Sequence, residues 1–483
     1  MLRGTIYLTI SQIVFVVTNF VLHAYLGRKL GPELYGVFGV ISAFVVITEL
    51  ILMRGIYDMI SKFVAEREDA ANTILRSTLK VLTIGSITAG GICFIFAGHI
   101  ASLMNDPELA SYIRLFAFSI PIVGVSTAFF GVLNGLRHFG RQALVFIVFY
   151  VIRVICVVVL VFLGFSVKGA IIGLIIADLF RLAIARWLCR PVGKVIGVDR
   201  KKMFNFASQL MVIALVTALV MNIDLLAVKT FLKNNFQTGL YTSAVTIAKI
   251  PLLLMFPVSL TVLPTISKSI SDGDMSLTEQ YIKQSMRLIL MFVLPISLIL
   301  IATSENFISL FYGDRYILAS GALNMLIIGA IFLSIKVVPY TVIVASGLPG
   351  YIIYIGLFSL LIDIVLLVTL INKIGIVGAA TASTITHLFG LLVSYGYVAR
   401  RFMTHIIPVS LIRIGLASLI VYLIATVYSP SGIVLLLYYV LLLCLFFFIL
   451  VVMNEINPMK VKMKLSETWE ISRLKDITAR YLK

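Results

Sequence analysis

Apolar residues in this chain occur in long runs, and these runs predict membrane-spanning helices. A run of about 18 or more apolar residues with few charges can cross a bilayer as a helix, and such runs recur from one end of the sequence to the other. The short connections leave no room for a sizeable soluble domain. We predict fourteen spans, near residues 5–27, 36–56, 76–101, 110–134, 142–165, 168–188, 204–231, 239–264, 283–303, 319–344, 350–372, 376–398, 408–428 and 431–453.

Composition agrees with an all-α integral membrane protein. Of the 483 residues, 61% are hydrophobic and 12% are charged, which is outside the range of soluble globular domains. The four cysteines are scattered through apolar segments and form neither a disulfide framework nor a metal-binding spacing. We therefore expect no metal site and no cofactor.

The net charge of +18 reflects membrane topology rather than a nucleic-acid partner. With the N-terminus in the cytoplasm, the predicted inner loops and helix ends hold 28 of the 39 Lys and Arg residues, the outer side holds 8, and three lie at membrane depth. Positive charge collects on the cytoplasmic side of membrane proteins. We predict a multi-pass protein of the plasma (cytoplasmic) membrane with both termini in the cytoplasm.

The chain contains two related halves. The segments "ELYGVFGVISAF" (33–44) and "GLYTSAVTIAKI" (239–250) both begin a span and lie 206 residues apart, and shorter matches recur at offsets of 207 to 210. We predict two parallel six-helix bundles, 1–200 (the N half) and 201–402 (the C half), then two additional helices (403–453) and a basic cytoplasmic tail (454–483). Parallel repeats are typical of transporters, whose site lies near the midplane between the repeats.

Four segments carry a resemblance to a known family: "RKLGPELYGVFGVISAF", "ISKFVAE", "LNGLRHFGRQAL" and "GLYTSAVTIAKIP". They resemble the polysaccharide-transporter branch of the multidrug/oligosaccharidyl-lipid/polysaccharide flippase superfamily, over roughly residues 1–400. The resemblance implies a V-shaped pair of bundles around a central cavity. It also implies alternating-access transport of a polyprenyl-pyrophosphate-linked glycan, with a glycan polymerase or transferase as a further partner. Spans 1, 2, 7 and 8 would line the cavity, which would place Glu49, Arg54, Asp224 and Lys249 there.

Lys249 lies near the middle of span 8. About ten residues at 1.5 Å each place it roughly 15 Å deep, close to the centre of a hydrocarbon core about 30 Å thick. Such a lysine does not easily snorkel, so we expect it to face a cavity or a buried partner. Pro251 and Pro257 break the helix, which is tolerated where the freed backbone lines a cavity. Lys249 would then offer a compact charge to a pyrophosphate; a structural ion pair is the alternative.

Three further cations are candidates for substrate binding: Arg54, Arg153 and Lys336. Arg54 lies toward the inner end of span 2. Asp363 occupies the position of Arg153 in the second repeat, 210 residues later, so the two could pair across the halves or belong to different networks. Lys336 lies close enough to the inner face that it could snorkel instead.

Acids at membrane depth are candidates for the coupling of transport to a cation gradient. Glu49 and Asp224 could bind Na⁺ or a proton, and Asp363 and Asp178 are further candidates, with Arg153 as a counter-ion candidate for Asp178. The driving force stays open between a Na⁺ gradient, a proton gradient and the membrane potential.

Two asparagines at membrane depth, Asn19 and Asn222, could hydrogen-bond glycan hydroxyl groups. Packing between helices is the alternative, because amide side chains commonly hydrogen-bond across membrane helices. The tail after residue 454 could form a basic amphipathic helix on anionic lipids or remain solvated.

Two rival functions are considered. A membrane glycosyltransferase or ligase would usually need a substantial polar domain, but the longest connections, near 189–203 and 265–282, are short and lack any nucleophile–base or metal spacing. We therefore predict a protein that is not an enzyme. A cation-coupled multidrug exporter of the same superfamily is the closer rival. The intramembrane cations favour an anionic substrate over a cationic drug, provided that they face the cavity.

Overall fold

The computed structural model describes residues 2–190, 197–253, 256–402 and 408–456. Every secondary-structure element in those ranges is helical, which confirms the predicted all-α class. The predicted tail after residue 456 and the side chain of Pro257 lie outside the described residues. The α-helices are α1 Leu2–Leu52, α2 Asp58–Glu66, α3 Ala71–Leu103, α4 Leu109–Ala117, α5 Ser119–Gly135, α6 Phe139–Leu160, α7 Ser166–Leu188, α8 Arg200–Leu232, α9 Asn235–Ala248, α10 Ile250–Leu253, α11 Phe256–Ser271, α12 Met275–Ala302, α13 Ser304–Tyr312, α14 Ser320–Ala345, α15 Pro349–Phe402, α16 Pro408–Val427 and α17 Val434–Val452.

These helices form fourteen membrane spans. Ten helical segments are long and apolar enough to cross a bilayer. Three of them, Ile6–Glu66, Phe139–Leu188 and Gly350–Phe402, contain 61, 50 and 53 residues, more than twice the ~20 residues of one crossing. Each of these three therefore holds two spans, and the described parts of α9 to α11 lie where the sequence predicts span 8. The count agrees with the fourteen spans predicted from the apolar runs.

Tight turns at residues with positive φ separate the two spans of each long segment. Gly31 (φ 75°) lies between spans 1 and 2, and Gly375 (φ 61°) lies between spans 11 and 12. Left-handed backbone favours glycine, which has no Cβ. Gly164 (φ 93°) has the same role between spans 5 and 6. Pro32 directly after Gly31 suits the first turn of span 2, where its missing N–H has no helical partner to lose.

The apolar core is continuous at one end of the molecule and divided at the other. We call the end that carries Gly31 the outer end and the opposite end the inner end, following the predicted topology. Toward the outer end a single core joins both halves of the chain, including Leu26 and Val228. Toward the inner end one core surrounds Met59 and a second surrounds Val342. The structure is therefore closed at the outer end and divided at the inner end.

Span 7 (α8) links the two inner cores. The Lys62 ammonium of the N half lies 4.1 Å from the centre of the Phe206 ring at the inner end of this span. Farther along, Val216 packs so closely on span 11 that a Cβ on Gly356 would lie 2.8 Å from its Cγ1. Span 7 therefore contacts both halves.

Spans 13 and 14 are attached to the C half through a buried carboxylate. The Glu455 side chain, just after span 14, is 2% exposed. Its oxygens lie 2.6 Å from Nε of Arg287 in span 9 and 3.4 Å from Nη1 of Arg413 in span 13. Apolar residues of the same three spans, among them Ile299 and Phe446, pack alongside. These two additional helices therefore belong structurally with span 9.

Candidate functional site

Glycines allow the two halves to meet closely at the outer end. A Cβ on Gly239, at the start of span 8, would lie 1.9 Å from the carbonyl oxygen of Pro32. A Cβ on Gly36 would lie 2.2 Å from the carbonyl oxygen of Asn235. Both distances are far below van der Waals contact, so these two positions accept only glycine unless the backbone moves. The start of span 2 therefore packs directly against the start of span 8.

Polar contacts reinforce this closure at the membrane surface. Nε of Arg28, at the end of span 1, donates a hydrogen bond of 3.0 Å to the carbonyl oxygen of Phe311 at the end of α13. Arg315 forms an ion pair of 2.8 Å with Glu33. A cation near the last carbonyls of a helix also interacts favourably with the helix dipole. These contacts join N-half residues to C-half residues, and we refer to them with the glycine contacts as the outer seal.

A buried aromatic cluster lies within the outer seal. The hydroxyl groups of Tyr35 and Tyr312, one from each half, are 3.4 Å apart. Nδ1 of His23 lies 2.9 Å from the Tyr35 hydroxyl, and the Tyr316 hydroxyl donates to the carbonyl oxygen of Gly27 at 2.8 Å. His23 is therefore part of the seal.

A charged pair closes the outer end beside span 7. The Lys229 side chain is 2% exposed, and its ammonium lies 2.5 Å from Oδ2 of Asp106 in the loop after span 3. Asn235 donates to the same carboxylate at 3.1 Å. Burial raises the pKa of Asp106, but the hydrogen bonds from Lys229 and Asn235 outweigh burial and hold this pKa below its usual value. Asp106 therefore stays ionised over the physiological range.

Two cations at mid-membrane depth approach the lower face of the seal. Lys249 lies at the break between α9 and α10, and its side chain is exposed. Arg153 in span 5 is half-buried, and its buried Nε has no hydrogen-bond partner among the described residues. Both interact electrostatically with His23, although they come from opposite halves of the chain. We call Lys249 and Arg153 the seam cations. Their arrangement can attract an anion to the region between the halves.

The N half contains a network of paired charges. Nη1 of Arg181 in span 6 lies 3.2 Å from Oε1 of Glu49, and its Nη2 lies 2.8 Å from Oδ1 of Asp178. Ser119 donates to the other oxygen of Asp178 at 2.5 Å. The guanidinium also lies 4.5 Å from the centre of the Phe149 ring. Glu49 and Asp178 therefore share one cation within the N half, and the direct counter-ion of Asp178 is Arg181 rather than Arg153.

The C half contains two buried carboxylates that form no close ion pair with a described residue, although Asp224 interacts electrostatically with Lys249. Asp224 in span 7 accepts hydrogen bonds from the Tyr241 hydroxyl at 2.7 Å and from the backbone N–H of Leu225 at 2.8 Å. Asp363 is 0% exposed and accepts from Thr386 at 3.2 Å, while its Oδ2 has no partner. The two carboxyls interact electrostatically. Their oxygens could hold a proton or a small cation.

Arg153 and Asp363 do not pair across the halves in this structure. Arg153 borders the same N-half pocket as Glu49 and Asp178, whereas Asp363 bonds to Thr386 within the C half. The two repeat-related positions therefore belong to different networks, which was the second of the two alternatives left open by the sequence.

Lys336 is buried within the C half rather than extended to the inner surface. It is 7% exposed, and its ammonium lies 5.2 Å from the centre of the Tyr340 ring. No described residue forms an ion pair with it. Because Lys336 does not snorkel and lies within one bundle, it does not reach the seam in this conformation.

The remaining predicted residues lie away from the seam cations or make local contacts. The Arg54 side chain is 72% exposed at the inner end of span 2 and lies 4.0 Å from Asp58. Asn222 donates to the carbonyl oxygen of Ala218 in its own helix at 2.8 Å, which satisfies its amide locally. Asn19 in span 1 is half-buried. Pro251 is the second residue of α10 and is buried.

Sequence reasoning missed Arg181 and Tyr241. We counted Arg181 with the inner helix ends because it lies within two turns of the end of span 6, yet its side chain is 7% exposed. The signal was present, because residues three apart share a helix face and Asp178 lies three positions earlier. Tyr241 carried no such signal, since a tyrosine at the start of a span is typical of an interface.

The fold and these sites define a multi-pass membrane protein of transporter type, and comparison with known proteins identifies its family. The model of the polysaccharide biosynthesis protein family matches residues 25–320, which is more than half of the chain. The chain belongs to this family, the polysaccharide-transporter branch of the multidrug/oligosaccharidyl-lipid/polysaccharide flippase superfamily. The resemblance noted in the sequence is thereby confirmed.

Individual relatives and one solved structure agree with this family. An O-antigen transporter of Shigella flexneri is 23% identical over 75% of this chain and 88% of its own length. The lipid II flippase MurJ of Bacillus subtilis is 22% identical over 82% of each chain. A solved structure of lipid II flippase MurJ in an inward closed conformation superposes with a TM-score of 0.75 and 16% identity, over 94% of this chain and 98% of that one. The members named here are transporters and flippases rather than enzymes.

Proposed function

We propose that this chain is a flippase for a polyprenyl-(pyro)phosphate-linked oligosaccharide. It would move the glycan from the inner to the outer leaflet of the plasma membrane for cell-surface polysaccharide or glycoconjugate assembly. Membership of a family whose relatives carry O-antigen and lipid II supports a lipid-linked glycan as the substrate. The alternative, a cation-coupled drug exporter, would need a site that attracts positive charge.

The observation that carries the proposal is the pair of seam cations beneath a closed outer end. An anionic diphosphate entering from the divided inner side would meet Lys249 and Arg153 together. Charges attract more strongly where protein and lipid replace water. The planar guanidinium of Arg153 matches phosphate oxygens, and Lys249 adds a compact ammonium. A cationic drug would be repelled at the same place.

Transport would then proceed by alternating access. The diphosphate binds the seam cations while the polyprenyl chain stays in lipid and the glycan occupies the space between the inner halves. Opening to the outer face requires separation of the outer seal, including the Arg28 and Arg315 contacts, and closure of the inner cores. The pair Asp224 and Asp363 would couple this movement to a proton or Na⁺ gradient, because ionisation of adjacent buried carboxyls is costly. The membrane potential is a further driving force.

The remaining assignments follow the predicted topology. Both termini would be cytoplasmic, the N half and C half would move as the two bundles 1–200 and 201–402, and the tail would contact anionic lipids. A glycan polymerase or transferase would use the product at the outer face.

Transport by purified protein in proteoliposomes tests the proposal. The substrate is a short glycan on polyprenyl pyrophosphate, and the readout is its accessibility to an externally added glycan-modifying enzyme. We expect Lys249→Ala to lower the initial rate about tenfold or more, which corresponds to about 1.4 kcal/mol or more of lost binding. The matched control is Lys268→Ala, because Lys268 is exposed in the same span at its inner end.

Three outcomes of this experiment distinguish the flippase from the drug exporter and test the role of Lys249. Loss of transport in Lys249→Ala alone supports the flippase and the role of the seam cations. Equal transport in both variants keeps the flippase but removes Lys249 from the site. No transport of the glycan by the unaltered chain, with uptake of a cationic dye against Na⁺ or protons, would establish the exporter instead.

A further inference from the structure

The two halves differ at repeat-related positions in spans 6 and 12. The segment "ADLFR" (177–181) matches "THLFG" (386–390) at an offset of 209. Gly390 therefore occupies the position of Arg181, and His387 occupies the position of Asp178. The guanidinium and the carboxylate of the N-half network have no equivalents at these positions in the C half.

A third difference lies in spans 5 and 11. Phe149, on whose ring Arg181 rests, corresponds to Ser359 at an offset of 210. The C half therefore has a glycine and a serine where the N half has a long cation and an aromatic ring. The volume given up by these two side chains must be filled by another group.

Lys336 of span 10 enters this space. A Cβ on Gly390 would lie 3.4 Å from Nζ of Lys336 and 3.5 Å from Oγ of Ser359. Both polar atoms therefore border the space that the missing Cβ leaves. His387 lies three residues before Gly390, on the same face of span 12, and interacts electrostatically with Lys336. Three spans thus bring an ammonium, a hydroxyl and an imidazole together.

The polar atoms of this cluster have no protein partners among the described residues. Oγ of Ser359 and Nδ1 of His387 are buried and form no hydrogen bond. Lys336 forms no ion pair with a described residue, and its ammonium lies 5.2 Å from the centre of the Tyr340 ring. Exposures of 7% for Lys336, 2% for Ser359 and 8% for His387 separate them from bulk solvent. A buried charge without a counter-ion is strongly destabilising. A negatively charged group beside Lys336 would remove this cost.

We propose that Lys336, Ser359 and His387 bind a small monovalent anion, with chloride as the natural candidate. An ammonium has three hydrogen-bond donors and no acceptor, and a hydroxyl and an imidazole can each donate as well. Chloride accepts from all three and donates nothing. A doubly charged phosphate would bring more negative charge than one buried ammonium balances, and a cation is repelled by Lys336. The bound anion would hold spans 10, 11 and 12 together, independently of the transported substrate.

Thermal stability in two sodium salts tests the proposal. We compare the apparent Tm of the purified full chain in sodium chloride and in sodium gluconate at equal ionic strength, since gluconate is too large for the site. At a chloride concentration about tenfold above Kd, we expect chloride to raise Tm by about 1–2 °C. Lys336→Gln removes the charge, and Gly390→Ala keeps the charge but fills the space; both should abolish the difference.

The controls match each change. Lys373→Gln alters an exposed lysine at the turn between spans 11 and 12. Gly396→Ala adds a methyl group where nothing lies within 4 Å; both variants should keep the chloride effect. Crystals soaked in bromide should show an anomalous peak beside Lys336. Absence of a chloride effect in the unaltered chain overturns the proposal, and so does an effect that persists in Lys336→Gln. If Gly390→Ala fails to fold, Lys336→Gln and the bromide peak decide.

Discussion

The N half and the C half have ionisable residues at related depths, but the N half contains ion pairs among them, whereas Asp363 and Lys336 of the C half form none with a described residue. In the N half, Arg181 forms ion pairs with both Glu49 and Asp178. In the C half, Asp363 and Lys336 are both buried, yet the structure gives neither an oppositely charged partner among the described residues. The repeat therefore preserved the helices while the charges diverged.

This difference separates a structural network from candidate functional sites. Removal of one member of a buried ion pair leaves an uncompensated charge, so such a network resists change. Buried ionisable groups without partners are instead able to exchange a proton or an ion during a transport cycle. We infer that the paired charges of the N half keep their partners through the transport cycle. Ion binding would then be concentrated in the C half and at the seam.

The largest expected effect is that of Arg181→Ala. The substitution leaves two carboxylates in the N half without their cation, and we expect it to destabilise the folded chain by about 3–5 kcal/mol. The measurement is the fraction of monodisperse protein by size-exclusion chromatography after heating, together with the apparent Tm. Arg186→Ala, at an exposed position of the same helix, should behave as the unaltered chain. Equal stability of both variants would show that the ion pairs of Arg181 do not contribute to the stability of the folded chain.

A smaller contrast is expected between Asp178→Asn and Asp363→Asn. The first removes the charge that accepts from Arg181 and Ser119, at a cost of about 1.5–3 kcal/mol. The second removes a buried carboxylate that has no cation, so its effect on stability should be below about 1 kcal/mol or even favourable. Chemical denaturation in mild detergent measures both. A cost for Asp363→Asn as large as that for Asp178→Asn would contradict the distinction between the halves.

The same contrast extends to transport. If the C-half carboxyls couple the cycle, Asp363→Asn should change the dependence of the transport rate on the Na⁺ or proton gradient while leaving the folded protein intact. Asp178→Asn should lower the amount of folded protein without altering that dependence per folded molecule. The proteoliposome assay, normalised to protein that elutes as a single peak, distinguishes the two.

The sequence predicted the helices well and the charge contacts poorly. Span number and family followed from apolar runs and ordered segments, because a bilayer imposes one length on every span. Side-chain partners depend on helix rotation and packing, which the apolar pattern does not specify. Arg153 and Asp363 share a repeat position but belong to different networks. The sequence left Lys336 open between the substrate site and the inner surface, and its side chain is buried within the C half. His23 contributes to the outer seal only because Tyr35 and Tyr312 meet there.

The smallest expected effect concerns the Asp106–Lys229 pair, which connects the N half to the C half rather than lying within one half. Because the pKa of Asp106 is held below its usual value, the folded state favours the ionised form. The pair then stabilises the protein at pH values above the usual Asp pKa of about 3.9, and this contribution is lost as pH falls through the lower pKa of the folded state. Near pH 7 we expect Asp106→Asn to cost about 1 kcal/mol, because asparagine keeps a carbonyl oxygen that can accept from the buried Lys229 ammonium, and a neutral acceptor stabilises less than a carboxylate.

The measurement is the difference in apparent Tm between the unaltered chain and Asp106→Asn from pH 7 to pH 3. It should be largest at neutral pH and shrink below pH 4, whereas Asp272→Asn, at an exposed position, should show no such difference. A difference that is constant with pH would mean that Asp106 stabilises the outer seal without its charge. Shrinkage confined to Asp106→Asn would show that acid weakens a contact of the outer seal, which separates in the proposed cycle.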